Sequence, residues 1–229
     1  MLIIEPQVLV PEIELSTEKL GNIERYARIC YKSEDKMADE YNEKFLSSII
    51  TRGHESVIEH EKITVMFIVD RGITHEIVRH RIGSYSQEST RYCNYSHNKF
   101  GQEITVIEPY YLKGHKAYAS WRESCETAEK SYFAMLEQGC SPQEARAVLP
   151  TCLKTEIAVT YNMREWRHFF TLRCSAAAHP QMREVAIPLL LLFQARLPIL
   201  FKKIEYDKKF PTEHYAKIIL TDGMFEPLG

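Results

Sequence analysis

The sequence predicts an α/β protein of the α+β kind, a mainly antiparallel sheet flanked by helices in one domain spanning residues 1–229. Lys62–Asp70 (KITVMFIVD) is rich in β-branched and aromatic residues and apolar on both faces, as a central strand is. Strand and helix patterns mix along the chain, with too few regular strand–helix–strand units for a doubly wound fold. At 229 residues, 45% hydrophobic and 26% charged, the chain suffices for one sizeable globular core. No repeat, low-complexity tract or Pro/Gly/Ser linker divides it.

The elements follow in order. Leu2–Val10 reads as a strand running to Pro11. Thr17–Tyr31 reads as a helix with Leu20, Ile23, Ala27 and Cys30 at helical spacing. A second helix covers about Tyr41–Thr51, and Gly53 breaks the pattern. After the central strand, Gly72–Arg81 is helical, with Ile73, Ile77 and His80 on one face, and a polar loop follows. Glu103–Glu108 is a strand and His115–Gln138 a long amphipathic helix. Ser141-Pro142-Gln143-Glu144 spells a helix start, with a capping serine, proline at the first position and glutamate closing the box. It places Arg146 in a short helix ending near Pro150. Lys154–Tyr161 is a strand, Arg164–Arg173 a helix, and Met182–Lys203 the closing helix.

Charge and cysteine usage exclude several classes. A net charge of -2 argues against nucleic-acid binding through bulk charge, so any anion site is local. The six cysteines are scattered without CxxC spacing and read as reduced, structural thiols of a cytoplasmic protein. No apolar run is long enough to span a bilayer, and no signal peptide is present.

The richest segment is Arg79–Tyr92, RHRIGSYSQESTRY. It holds three arginines, a histidine, three serines, a threonine, a glutamine and two tyrosines beside one aliphatic residue, Ile82. Unpaired buried arginines are too costly for this to be a core element. Guanidinium forks, hydroxyls and the side chains of Gln87 and Glu88 suit a phosphate and a flat heterocycle. Cations ending a helix also complement its dipole, which is the plain structural reading of Arg79, His80 and Arg81. Arg79 and Arg81, two apart, cannot share a helix face and serve different ligands or subunits.

Ser89 has no GxSxG elbow around it and reads as a donor to phosphate, with Arg91 supplying charge. His54-Glu55-Ser56-Val57-Ile58-Glu59-His60 imitates a zinc HExxH motif, but its histidines are six apart, off one helical face, so no metal is expected. His54 and Ser56 instead mark a turn touching a cofactor. Arg146, Arg173 and Asn162-Met163-Arg164 are not selected by motif logic alone. There is no GxGxxG, no P-loop and no Pro-Cys-His nucleophile segment.

Arg79-His80-Arg81, seven residues, then Ser89, within RHRxxSxxQxSxRY, resembles the flavin-dependent thymidylate synthases. The likeness extends over about Ala27–Arg183, through ARICYKSE, HESVIEH, EARAVLP and NMREWRHFFTLR. It implies a homotetramer with sites shared between subunits, binding FAD, dUMP and, in turn, NADPH and methylenetetrahydrofolate. By motif position it implies FAD contacts from Ser56, Arg79, His80, Arg81, Gln87, Asn162, Met163, Arg164 and His168. It implies dUMP contacts from Glu76, Arg79, Gln87, Glu88, Ser89, Thr90, Arg91, Arg146 and Arg173. Arg173 is then the catalytic residue, holding the pyrimidine edge and stabilising charge that develops on it.

A rival reading of the same residues is a single-strand nucleic-acid or nucleotide sensor stacking bases on Tyr85, Tyr92 and Tyr95. The net charge of -2 and the lack of a basic stripe count against it.

Overall fold

The computed structural model describes residues 1–96 and 101–225. In chain order it contains β1 (Leu2–Ile4), β2 (Gln7–Pro11), α1 (Glu18–Tyr31), α2 (Glu43–Thr51), β3 (Lys62–Asp70), α3 (Arg71–Ile77), β4 (Gly83–Gln87) and β5 (Thr105–Ile107). There follow α4 (Tyr118–Glu137), α5 (Pro142–Ala145), β6 (Lys154–Asn162), α6 (Met163–Arg173), α7 (Pro180–Arg196), α8 (Pro198–Phe201) and β7 (Lys217–Thr221). The main sheet has the order β4-β6-β3-β2-β7 and is mostly antiparallel, as expected. β1 and β5 form a separate parallel pair, Leu2 opposite Thr105 and Ile4 opposite Ile107.

Several boundaries differ from the sequence reading, each for a local reason. The first strand is two, split at Glu5-Pro6, because Pro6 brings no N–H to a ladder. α3 begins one residue earlier than expected, where Asp70 Oδ1 accepts the Ile73 N–H at 2.7 Å, and it ends at Ile77. Arg79, His80 and Arg81 therefore lie beyond the helix. The polar stretch that follows is not a loop throughout. Gly83–Gln87 forms edge strand β4, whose less exposed positions alternate as Gly83, Tyr85 and Gln87. Its period is two, but the residues marking it are not aliphatic. The closing helix is likewise interrupted, since Leu197 before Pro198 is forced out of helical geometry (φ -132°, ψ 57°), separating α7 from α8.

The described residues form two compact units. One comprises residues 1–7, 67–79 and 86–157. Its core packs Tyr95, Ile104, Val106, Tyr132 and Leu153 around Cys125 of α4. Here the Cys125 and Cys152 sulfurs lie 3.4 Å apart, and the Cys125 thiol holds Cys152 below its ordinary pKa. The purely structural reading of the cysteines misses this, because the partners are distant in sequence. The capping box is formed as expected, with Glu144 Oε2 accepting from Ser141 N (2.8 Å) and Ser141 Oγ (2.6 Å).

The other unit comprises residues 8–66, 80–85 and 158–229 as far as described. An aromatic core of Trp166, Phe169 and Phe170 from α6, Phe193 from α7 and Phe201 from α8 is fully buried. Successive rings meet edge-on or tilted at centroid distances such as 5.3 Å for Trp166–Phe193 and 5.1 Å for Phe193–Phe201. Trp166 Nε1 donates to the Ile63 carbonyl at 3.0 Å, tying α6 to β3. This anchors the N-terminal turns of α6, where Asn162 Oδ1 caps the helix by accepting the Glu165 N–H at 2.9 Å.

β4 approaches β6 closely because position 83 has no side chain. A Cβ there would fall within 2.6 Å of Tyr161 Cδ1 and 2.9 Å of the Tyr85 hydroxyl. Tyr161 is fully buried and cannot swing away. Gly83→Ala is therefore expected to destabilise the protein by about 1–3 kcal/mol through overpacking, as measured by denaturant unfolding. Wild-type stability in that variant would show that β4 yields without cost.

Candidate active site

The central feature is a buried histidine. His80 is only 3% exposed and lies against one face of α6. Glu165, Phe169 and Arg173 recur on that face at helical spacing. Arg173 Nε donates to His80 Nε2 at 2.9 Å, so Nε2 carries the lone pair and Nδ1 the proton. Nδ1–H then donates to Glu165 Oε1 at 2.9 Å. The Tyr85 hydroxyl donates to the His80 carbonyl, and the hydroxyls of Tyr85 and Tyr161 lie 3.1 Å apart.

The electrostatics agree with this hydrogen-bond sense. Burial first, then the nearby Arg173 and His168 charges, pushes His80 down to about 4. Burial also raises the Glu165 carboxyl, against the opposing pull of His168 and Arg164. The imidazole is thus neutral near pH 7. Ligating atoms of His80, Glu165 and His168 fall within 4.8 Å of one another. Both His80 ring nitrogens are already used and a guanidinium adjoins, so the arrangement serves as a hydrogen-bond relay more readily than as a cation cradle.

Beside it opens a cavity of about 570 Å³ lined by Glu55, Glu59, Arg81, Ile82, Asn162, Arg164, Glu165, Arg167, His168 and Thr171. Arg164 pairs with Glu59 at 2.5 Å and with Glu55 at 3.5 Å, and Arg167 with Glu55 at 3.1 Å. Arg81 has no carboxylate partner among the described residues, and the neighbouring Ile82 is 88% exposed. Met163 is fully buried, its N–H donating to the Glu61 carbonyl at 2.9 Å, so its side chain belongs to the core. Ser56 instead lines a second cavity of about 370 Å³ with His54, whose Nδ1 lies 2.7 Å from the Tyr31 hydroxyl.

The remaining candidates belong to the first unit. Gln87 Nε2 donates to Thr74 Oγ1 (3.0 Å) and Thr155 Oγ1 (3.3 Å), which fixes its amide. Glu88 accepts from the Tyr95 hydroxyl at 3.2 Å and from Lys154 Nζ at 3.3 Å. Ser89 Oγ accepts the Arg91 N–H at 3.3 Å in a turn, and among the described residues no imidazole serves it as a base. Arg146 donates to Thr90 Oγ1 at 3.3 Å. Arg79 and Arg91 are exposed and, like Arg81, have no carboxylate partner among the described residues. Glu76 is half-buried in α3.

Sequence reasoning missed Glu165 and Tyr161, gave Tyr85 only a stacking role in the rival reading, and gave Glu55 and Glu59 of HESVIEH no site role. Glu165 alone carried a signal, its spacing from Phe169 and Arg173 on one helix face. The donor set of the larger cavity (a guanidinium without a carboxylate, an imidazole, a hydroxyl and an exposed aliphatic) fits a flavin nucleotide with its phosphate and flat ring.

An α+β chain with a guanidinium free of carboxylates beside such a cavity, Arg81, has the chemistry of proteins that handle phosphorylated heterocycles. Comparison with known proteins narrows this. The family model described as "Thymidylate synthase complementing protein" matches residues 13–199. A flavin-dependent thymidylate synthase of Geobacter sulfurreducens is 36% identical over 185 residues, covering 77% of this chain and 78% of the relative. One of Mycobacteroides abscessus is 32% identical over 212 residues, 83% of each chain. One of Pyrococcus furiosus is 36% identical over 158 residues, 68% of this chain but 64% of the relative's own length. The chain belongs to the thymidylate synthase complementing family, that of the flavin-dependent thymidylate synthases.

A neutral buried imidazole has a consequence for stability. Below pH 6.5 the unfolded chain takes up a proton at His80 that the native state refuses until about pH 4. The wild type should therefore lose stability relative to His80→Gln as pH falls through that window, measured by urea unfolding. A difference that stays constant with pH would mean that His80 titrates in the native protein as it does in the unfolded chain.

Proposed function

We propose that this chain catalyses the reductive methylation of dUMP to dTMP, using methylenetetrahydrofolate as carbon donor and FAD reduced by NADPH as hydride source, without a cysteine nucleophile. It is a methyltransferase of dTMP biosynthesis. Residues 1–229 act as one functional domain, in a cytoplasmic homotetramer whose sites are shared between subunits. No helix among the described residues is long and apolar enough to cross a membrane.

The observation that carries this reading is the state of the signature arginines. Arg79, Arg81 and Arg91 are exposed without carboxylate partners among the described residues, whereas Arg28, Arg167, Arg183 and Arg196 each hold one. Their charge is available to ligand phosphates. In this reading Arg79, His80, Arg81, Gln87, Asn162, Met163, Arg164, His168 and Ser56 hold FAD, with Met163 restricted to its backbone and His80 acting from beneath the surface. Glu76, Arg79, Gln87, Glu88, Ser89, Thr90, Arg91 and Arg146 hold dUMP. The bound reduced flavin supplies the hydride. The protein's part is to orient the nucleotide and stabilise charge. Arg173 against the pyrimidine edge stabilises the negative charge that builds as carbon adds to the ring, a charge-assisted contact worth roughly 1.5–3 kcal/mol. Ser89 and Arg91 fix the phosphate, and no thiolate attack is required.

Purified protein titrated with FAD and then dUMP should show flavin absorption bands that shift as dUMP enters. Arg173→Ala should keep the fold and the flavin spectrum but lose dTMP formation by at least about tenfold. Near-normal turnover in that variant would refute the role of Arg173, and a protein that takes up no FAD would refute the enzyme.

A further inference from the structure

We infer that Glu165 is a positioning residue for this reaction, setting the orientation of Arg173 through His80. The inference rests on the reading of Arg173 as the group that faces the pyrimidine. It is carried by a chain of two hydrogen bonds whose direction leaves one choice of tautomer.

Arg173 Nε–H is a donor only, so the His80 nitrogen 2.9 Å from it must accept. A neutral imidazole with its lone pair on Nε2 carries its proton on Nδ1, and that proton needs an acceptor inside the protein. Glu165 Oε1, 2.9 Å away, is that acceptor. Without it the buried Nδ1–H would be unsatisfied, and the tautomer that relieves this carries its proton on Nε2. Two donors would then face each other, and the guanidinium would have to turn.

The surroundings leave few substitutes for the carboxylate. The groups facing His80 are Glu165, His168 and Arg173 from α6, Tyr85 from β4 and Tyr161 from β6. The hydroxyl of Tyr85 is committed to the His80 carbonyl. Glu165 is itself held, since its N–H donates to the Asn162 side chain at 2.9 Å and its residue is 8% exposed. The backbone of Glu165 is therefore fixed and its carboxylate is held by His80, which links it along α6 to Arg173, eight residues on.

Two substitutions separate packing from hydrogen bonding. Glu165→Gln keeps an acceptor oxygen, whereas Glu165→Leu fills the space without one. Glu165→Gln should retain dTMP formation within about tenfold, and Glu165→Leu should lose on the order of a hundredfold, the scale of a misoriented group. In an Arg173→Lys background, which lacks the Nε–H, Glu165→Leu should cost less than about threefold more. A cost as large as in the wild-type background would overturn the inference. A second readout needs no turnover. In protein with ¹⁵N-labelled histidine, the His80 signal, assigned as the one missing in His80→Gln, should report the Nδ1–H tautomer near neutral pH. It should leave that tautomer in Glu165→Leu. An Nε2–H signal in the wild type would overturn the relay even if Glu165→Leu fails to fold. Wild-type turnover in Arg173→Ala would instead remove the role of Arg173, while the histidine spectrum still judged the relay.

Discussion

The site depends on keeping one imidazole neutral in a place where water does not reach. Burying a polar ring costs free energy unless each of its nitrogens finds a partner. His80 finds two partners of opposite character, a carboxylate and a guanidinium, and this fixes which nitrogen carries the proton. The arrangement lets Glu165 and Arg173 sit at the two ends of one ring without a direct ion pair being required to hold them. An uncharged connector is directional where a simple salt bridge is not. The aromatic packing of α6 serves the same end, because Trp166, Phe169 and Phe170 leave the helix no freedom to rotate about its axis.

Arginine is used in two distinct ways in this molecule. Several arginines are matched by a carboxylate, Arg28 with Glu24, Arg183 with Asp207 and Arg196 with Glu12, while Arg71 is held by the Glu88 carbonyl and Thr155. In the signature segment arginine is left without a carboxylate among the described residues. Unmatched surface charge contributes little to stability, so the signature arginines suit the ligand roles proposed above. Arg164 lies between the two cases. It lines the larger cavity but is held by Glu59 and Glu55, so a phosphate approaching it would have to displace a carboxylate.

Much of this was legible in the amino-acid sequence, and the parts that were not share a cause. Lys62–Asp70 was readable because a strand apolar on both faces has few alternatives, and its bounds match β3. The capping box at Ser141 was readable because its chemistry is local. β4 was hidden because its pattern is written in Gly83, Tyr85 and Gln87, and β7 because its residues are only half-buried at a sheet edge. Within the site, Arg79, His80 and Arg81 could be picked out by composition. The burial of His80 could not, since it depends on a helix more than eighty residues further along the chain. Glu165 and the Cys125–Cys152 contact were missed for the same reason: each acquires its meaning only from a partner remote in sequence.

The position of β7 has a consequence for how the chain is made. β2, with its buried Val8, Leu9 and Val10, is made long before the strand that covers one of its edges, Lys217–Thr221. During synthesis on the ribosome that edge stays bare while some two hundred residues emerge. A bare, strongly apolar edge is a template for pairing with any extended segment at hand, including another nascent copy. The segment before β7 docks on α7 by the hydrogen bond from Ala216 N to the Glu184 carbonyl at 2.9 Å, which steers the late strand to its place. β7 is thus a latch on that edge, available only after the other four strands of the sheet have been made.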